Sequence, residues 1–172
     1  MFGFTAGNHL VYADEPDYTI STDATYPPFD FQDKNNQYVG IDQDILKEIA
    51  KREHFTYTLK PMSFTSAAQL VANGQADGII AGMAITEERK AVYDHSTPYY
   101  KTGVAWIVKK GSKIKSLKDL KGKTVALKTG TAASEYGKSL QTKYGFNVKY
   151  FNDTDTMYND VAVGNSAATF EL

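Results

Sequence analysis

Hydrophobic and polar positions along this chain follow two periods. Tyr18-Thr19-Ile20-Ser21-Thr22 and Phe55 to Leu59 alternate with period two and are rich in β-formers, which predicts strands. Between them, Asp42 to Glu53 repeats with the helical period. Ile45, Leu46, Ile49 and Ala50 share one face, and Asp42 or Gln43 stands at the start. Thr65 or Ser66 can cap a helix that ends before Gly74, with Ala67, Leu70 and Val71 turned inward. Gly78 to Ala81 reads as a short buried strand, and Thr86 can start a helix over Glu87 to Val92. Tyr99 to Val108 is an apolar, aromatic, strand-like run. Beyond it the pattern predicts a short helix over Ser116 to Leu120, a strand over Thr124 to Leu127, and a helix over Ala132 to Tyr144 with Gly145 at its end. A strand over Val148 to Phe151, a helix over Thr156 to Val163 and a last strand over Ala167 to Phe170 complete the series. Pro27-Pro28 forbids a helix between Asp23 and Phe31.

Strands alternating with helices of about ten residues imply βαβ units and a largely parallel sheet, an α/β fold. The run around Gly103 to Val108 splits the series into two groups, placing one unit at 18–103 and a second at 104–172. Residues 1–17 stand apart. Met1 to Ala13 is apolar without a period, and Val11-Tyr12-Ala13 before Asp14 resembles a signal-peptidase site, so this stretch reads as a signal remnant or a disordered extension.

Composition narrows the function. Of 172 residues, 19 are basic and 20 acidic, so a net charge of −1 gives no general pull toward nucleic acid. There is no cysteine, which removes disulfide scaffolds, cysteine metal sites and cysteine nucleophiles. The three histidines, His9, His54 and His95, share no metal-ligand spacing, and no apolar run reaches the length of a membrane span. No nucleophile elbow or phosphate loop is present. The reading is a binding module rather than an enzyme, with no cofactor and no metal.

Several ordered segments carry a resemblance. Asp23-Ala24-Thr25-Tyr26-Pro27-Pro28-Phe29, Gly40-Ile41-Asp42-Gln43-Asp44, Gly74-Gln75-Ala76-Asp77-Gly78 and Ala81-Gly82-Met83-Ala84-Ile85-Thr86-Glu87-Glu88-Arg89 occur in that order. Pro98-Tyr99-Tyr100, Leu120-Lys121-Gly122-Lys123 and Lys128-Thr129-Gly130-Thr131 follow. Together they resemble the amino-acid-binding proteins of ABC importers, the family-3 solute-binding proteins. The resemblance implies a two-lobed periplasmic-binding-protein-like fold of type II. It also implies an extracytoplasmic location, possession of a free amino acid as ligand, and a membrane permease as partner. The other classes of the same scaffold are an enzyme domain, dehydratase or transglycosylase-associated, and a ligand-sensing receptor domain.

An amino acid needs donors for its carboxylate, an acceptor for its ammonium and a shaped wall. Arg89 offers a planar fork of donors for a carboxylate; its other reading is a solvated arginine in a charged helix. Thr131 stands at the next helix start, where its hydroxyl and nearby N–H groups form a second anion cradle or a plain N-cap. Gly82 and Ala84 are small and allow close approach to the backbone. The resemblance raises Tyr26 and Phe64 from ordinary core to aromatic walls, and sets Asp23 against the ligand side chain. Asp23, Phe64, Ala81-Gly82 and Lys128 together look like the glutamine-binding branch. Lys128 would repel a cationic ligand, so glutamine is expected ahead of glutamate or asparagine.

The family places an aspartate for the ligand ammonium where this chain has Leu172. Glu171 is adjacent and is expected to point to the other side of its strand. The family also runs to well over two hundred residues and crosses between lobes twice. The chain therefore reads as C-terminally truncated. Its second lobe would be incomplete, its first lobe would lack the return strand, and the bared surface would be open to dimerisation.

Overall fold

The computed structural model describes residues 15–172, so the reading of 1–17 as a signal remnant or a disordered extension lies outside the described residues up to position 14. The chain opens with strand β1 (Asp17–Asp23). A small antiparallel sheet follows, built from β2 (Thr25–Tyr26), β3 (Asp30–Gln32) and β4 (Tyr38–Val39). Helix α1 (Ile41–Glu53) then leads to β5 (Thr56–Met62), helix α2 (Phe64–Ala72) and β6 (Gly78–Ile79). In the first parallel sheet β1 is central, in the order β5-β1-β6. Its register runs from Asp17 opposite Thr56 to Asp23 opposite Met62, and Ile20 lies opposite Gly78.

A one-turn helix, α3 (Glu87–Lys90), precedes the passage to the second sheet. That sheet comprises β7 (Ala105–Ile107), β8 (Thr124–Lys128), β9 (Asn147–Phe151) and β10 (Ala168–Glu171), in the order β7-β10-β8-β9. Helices α4 (Ala132–Tyr144) and α5 (Thr154–Val163) connect its parallel strands, and a 3-10 turn spans Leu117–Leu120. The expected strand from Tyr99 to Val108 shrinks to three residues. β7 is antiparallel, and its only partner among the described residues is β10, which offers Thr169, Phe170 and Glu171 opposite Ile107, Trp106 and Ala105.

Local chemistry explains most boundaries. Thr131 caps α4 by accepting the Ser134 N–H at 3.1 Å, and Gly145 ends it in the left-handed region at φ 68°, which a side chain would disfavour. Asp153 caps α5 through the Thr156 N–H at 2.8 Å, so the helix begins at Thr154, two residues before the start read from the sequence. Helix α2 is capped by Ser63 rather than by Thr65 or Ser66, since Ser63 Oγ accepts the Ser66 N–H.

The second sheet encloses a dry core. Leu120, Val125, Leu127, Ala133, Phe146, Ala168 and Phe170 pack on one face, and Ala126, Met157 and Val161 on the other. The interior beside the first sheet is more polar. Ser21, Thr22, Asp30, Asp42 and Gln43 are buried there. The expected apolar face of α1 is corrected accordingly: Ile49 is 44% exposed, and the helix buries Asp42, Gln43, Leu46 and Ala50 instead. The partner of that face is a polar network, so the helix turns its acid and amide inward.

Candidate ligand cleft

All nine residues singled out in the sequence line one cavity between the two sheets. Asp23, Tyr26, Phe64, Ala81, Gly82, Ala84 and Arg89 come from the first part of the chain, and Lys128 and Thr131 from the second. Ala132, Glu171 and Leu172 complete the lining. The topology accounts for the gathering. Asp23 ends β1 and Lys128 ends β8, so both stand at the carboxyl edges of parallel strands, where open α/β sheets bind ligands. Phe64 opens α2 just after β5, and Thr131 and Ala132 stand where α4 begins just after β8.

Arg89 is positioned by its own helix start. Thr86 Oγ1 accepts the Arg89 N–H at 3.2 Å, and the guanidinium lies 5.0 Å from the centre of the Phe64 ring. Its fork donates to two carbonyls, Ala84 O at 2.8 Å and Gly130 O at 3.0 Å. The second bond crosses from one sheet's territory to the other's. Burial draws the guanidinium's pKa below its ordinary value, although it stays a cation at any physiological pH. Thr131 Oγ1 accepts the Ser134 N–H and donates to Lys128 O at 3.1 Å, so its hydroxyl serves the cap and the turn. What α4 presents to the cavity is its N-terminal turn of backbone at Thr131 and Ala132.

Asp23 and Lys128 depart from the sequence reading. They form a buried ion pair, each side chain only 3% exposed. Lys128 Nζ also donates to Thr154 Oγ1 at 2.9 Å and Thr25 Oγ1 at 3.2 Å, so all three of its protons are engaged. The expectation that Lys128 would repel a cation is corrected: its charge is neutralised by Asp23. Local pattern could not reveal the pair, because 105 residues separate its members.

Gly82 also gains a second explanation. Its φ is 54°, and a Cβ there would stand 2.5 Å from Tyr26 Cε1. The missing side chain lets the Tyr26 ring lie against the loop. Tyr26 stacks on Phe29 at 5.2 Å between centroids and donates through its hydroxyl to Leu172 O at 3.3 Å. Asp42 holds the same loop from behind. One of its oxygens accepts the Gly82 N–H, and the other accepts the Tyr99 hydroxyl at 2.7 Å. Burial raises the Asp42 pKa despite both bonds.

A third acid, Asp30, sits deeper. Thr22 Oγ1 touches the Asp30 carboxyl and lies 2.6 Å from Ile80 O, while Gln43 Nε2 approaches both Thr22 and Asp30 at 3.2 Å. A threonine hydroxyl has one proton and here faces two acceptors. A protonated Asp30 resolves the count, in keeping with burial pushing its pKa up to about 7.

The sequence reading missed Glu171. Its side chain was expected on the far side of β10, yet it lines the cavity beside Leu172 and is 7% exposed. Burial raises its pKa, opposed by the Lys128 charge. Alternation along β10 was the available signal. Phe170 faces the dry core, which sends Glu171 to the other face, and the cavity reaches that face at the strand end.

Thr65 Oγ1 to Thr129 O at 3.1 Å and Thr154 N–H to Thr25 Oγ1 at 3.3 Å add two more bonds across the cleft. The residual cavity is about 20 Å³, room for a water molecule and far too little for an amino acid. Among the described residues no cluster of His, Asp or Glu could hold a metal ion, and no helix is long and apolar enough to cross a membrane.

Two α/β units meeting over a polar cleft, with strand ends and helix starts aimed into it, define a two-lobed periplasmic-binding-protein fold of type II. The chain belongs to the bacterial extracellular solute-binding proteins, family 3, whose model matches residues 18–166. It is 35% identical over 142 residues to the arginine-binding extracellular protein ArtP of Bacillus subtilis, covering 83% of this chain and 55% of that one. It is 34% identical over 147 residues to the L-cystine-binding protein TcyJ of Escherichia coli K12, covering 84% and 54%. The chain thus spans about half the length of these curated relatives. An ancestral arginine-binding protein bound to arginine superposes with TM-score 0.86 at 39% identity, covering 91% of this chain and 70% of that one. An ancestral arginine-binding protein bound to glutamine gives 0.85 at 38%, covering 92% of this chain and 70% of that one.

Proposed function

We propose that this chain captures a free polar L-amino acid, glutamine first, between a lobe at 18–103 and a lobe at 104–172, for delivery to the permease of an ABC importer. The observation that carries the reading is Arg89 facing the N-terminal turn of α4 across the cavity, with its fork on two neutral carbonyls. A carboxylate is a stronger acceptor than either carbonyl and fits the fork bidentately. Hinge opening exposes these donors, and closure over the carboxylate lets the α4 backbone join them. Tyr26 and Phe64 supply apolar walls. The Asp23 carboxylate can accept from a neutral amide end without releasing Lys128, whereas a cation would have to share that carboxylate with the Lys128 charge.

Arginine is the second reading. The names of the relatives favour it, and so does the Asp23 carboxylate, which a cationic side chain could claim once the lobes part. Calorimetric titration of the protein with the twenty amino acids decides. Glutamine binding best is the expected result. Arginine or histidine binding best overturns the side-chain assignment, and no binding by any amino acid overturns the whole reading.

A further inference from the structure

The net charge of −1 hides a division. Residues 18–103 carry eight basic and 11 acidic side chains, whereas 104–172 carry 11 lysines against six acids. Topology gathers eight of those lysines at one pole. The carboxyl ends of β8, β9 and β10 point to the cleft, so their amino ends form the opposite pole, about 13 Å away along β8. Three bonds of 2.7 Å knit that pole: Gly122 N–H to Gly145 O, Asn147 N–H to Lys123 O, and Ala167 N–H to Thr124 O. Lys121 and Lys123 stand just before β8, and Lys143 lies in the last turn of α4. β7 runs the other way, so Lys109 and Lys110 beyond its end arrive at the same place. The stretch between carries Lys113, Lys115 and Lys118, and it is pinned by Ile114, Leu117 and Leu120, which pack into the dry core.

All eight lysines are exposed, and none pairs with a carboxylate among the described residues. One exposed acid stands among them, Asp119, whose Oδ2 accepts the Lys115 and Ser116 N–H groups at 2.9 Å. Asp160, the other acid toward this end of α5, is buried and paired with Lys149. The matching pole of the first unit, at the amino ends of β1, β5 and β6, mixes Asp17, Glu53 and Asp77 with Lys51 and Arg52. The same topological position thus carries no such excess there, so the fold does not demand the lysines. Crowded like charges repel, and an anionic partner relieves that cost. The pole offers no arginine fork and no exposed aromatic ring among the described residues, the usual anchors of a shaped protein contact. Lysines are point charges on flexible stems, which suit a fluid layer of phosphates able to adjust to their spacing. We propose that this pole docks on an anionic phospholipid surface, with the cleft held away from the headgroups.

Vesicle co-sedimentation tests the proposal without reference to amino-acid binding. The protein is mixed with vesicles of phosphatidylglycerol and phosphatidylcholine in equal parts, and with vesicles of phosphatidylcholine alone. Wild-type protein should sediment with the first and not the second at about 0.1 M salt. It should come off at about 1 M, where the screening length shrinks from about 10 Å to about 3 Å. K118Q/K121Q/K123Q should lose roughly 100-fold in vesicle affinity, at about fivefold per lysine. K34Q/K47Q/K51Q removes the same charge from exposed positions of the first unit and should bind as wild type does. Thermal unfolding checks each variant, and K109Q/K110Q, with a loss of roughly 25-fold, carries the test should the first triple variant not fold. The proposal is overturned if wild-type protein ignores the anionic vesicles, if both vesicle types bind it equally, or if the two triple variants lose affinity equally. Protein that binds soluble polyphosphate but not the anionic vesicles also overturns it.

Discussion

The two sheets fill the interior in different proportions. Around β7-β10-β8-β9 the buried apolar residues form contiguous clusters on both faces of the sheet, with Ser134, Thr154, Ser166 and Thr169 buried beside them. Around β5-β1-β6 the fully buried positions include Ser21, Thr22, Asp30 and Asp42; Thr22 bonds Asp30 and the Ile80 carbonyl, Asp42 takes the Gly82 N–H, and Ser21 donates to Ala67 O. A dry core is held by packing and tolerates pH. A polar core is held by satisfied donors and acceptors and answers to protonation. The difference teaches where adjustability lies: the cleft loop that carries Ala81, Gly82 and Ala84 hangs from the polar half, while Lys128 and Thr131 project from the dry half.

The strongest way to break this contrast is Leu127→Ala, which empties a fully buried site between α4 and β10. A loss of about 3–5 kcal/mol is expected from denaturant unfolding, and a loss under about 1 kcal/mol would show the core to be loosely packed. Next comes pH. The unfolded chain releases the Asp30 proton near the usual carboxylate value, whereas the folded chain holds it to about 7. Stability therefore falls as pH rises from about 4 to 7, by about 2–4 kcal/mol, and levels off above. Asp30→Asn should flatten that slope, and an unchanged slope would place the titration elsewhere. Asp42→Leu sharpens the comparison at the cleft: a side chain of similar size without oxygens leaves the Gly82 N–H and the Tyr99 hydroxyl without their acceptor, costing about 2 kcal/mol of stability and weakening amino-acid affinity in the same titrations. Smallest is Thr131→Ala, which removes the α4 cap for about 1 kcal/mol by thermal unfolding.

The dry half was the more legible in sequence. Thr131, Gly145 and Gly164 punctuate its helices through bonds within a few residues, so local pattern suffices. In the other half, the helical period put Ile49 beside Leu46 on an inward face, yet the network on Asp42 and Gln43 rotates the helix and leaves Ile49 in solvent. Periodicity reports that a helix has a preferred face; it does not report whether the partner is oil or hydrogen bonds. The nine cleft residues were readable from motif order, and they do gather around one cavity. The Asp23–Lys128 pair was not readable, because ion pairs across 105 residues depend on how two units dock.

The bond from Arg89 to the Gly130 carbonyl carries one more consequence. It makes the chain its own competitor, since a backbone oxygen occupies part of the donor fork that the proposed ligand must use. Ligand capture is then an exchange rather than an addition. Association is paced by how often that latch releases, and the observed affinity is what remains after the internal occupant has been displaced.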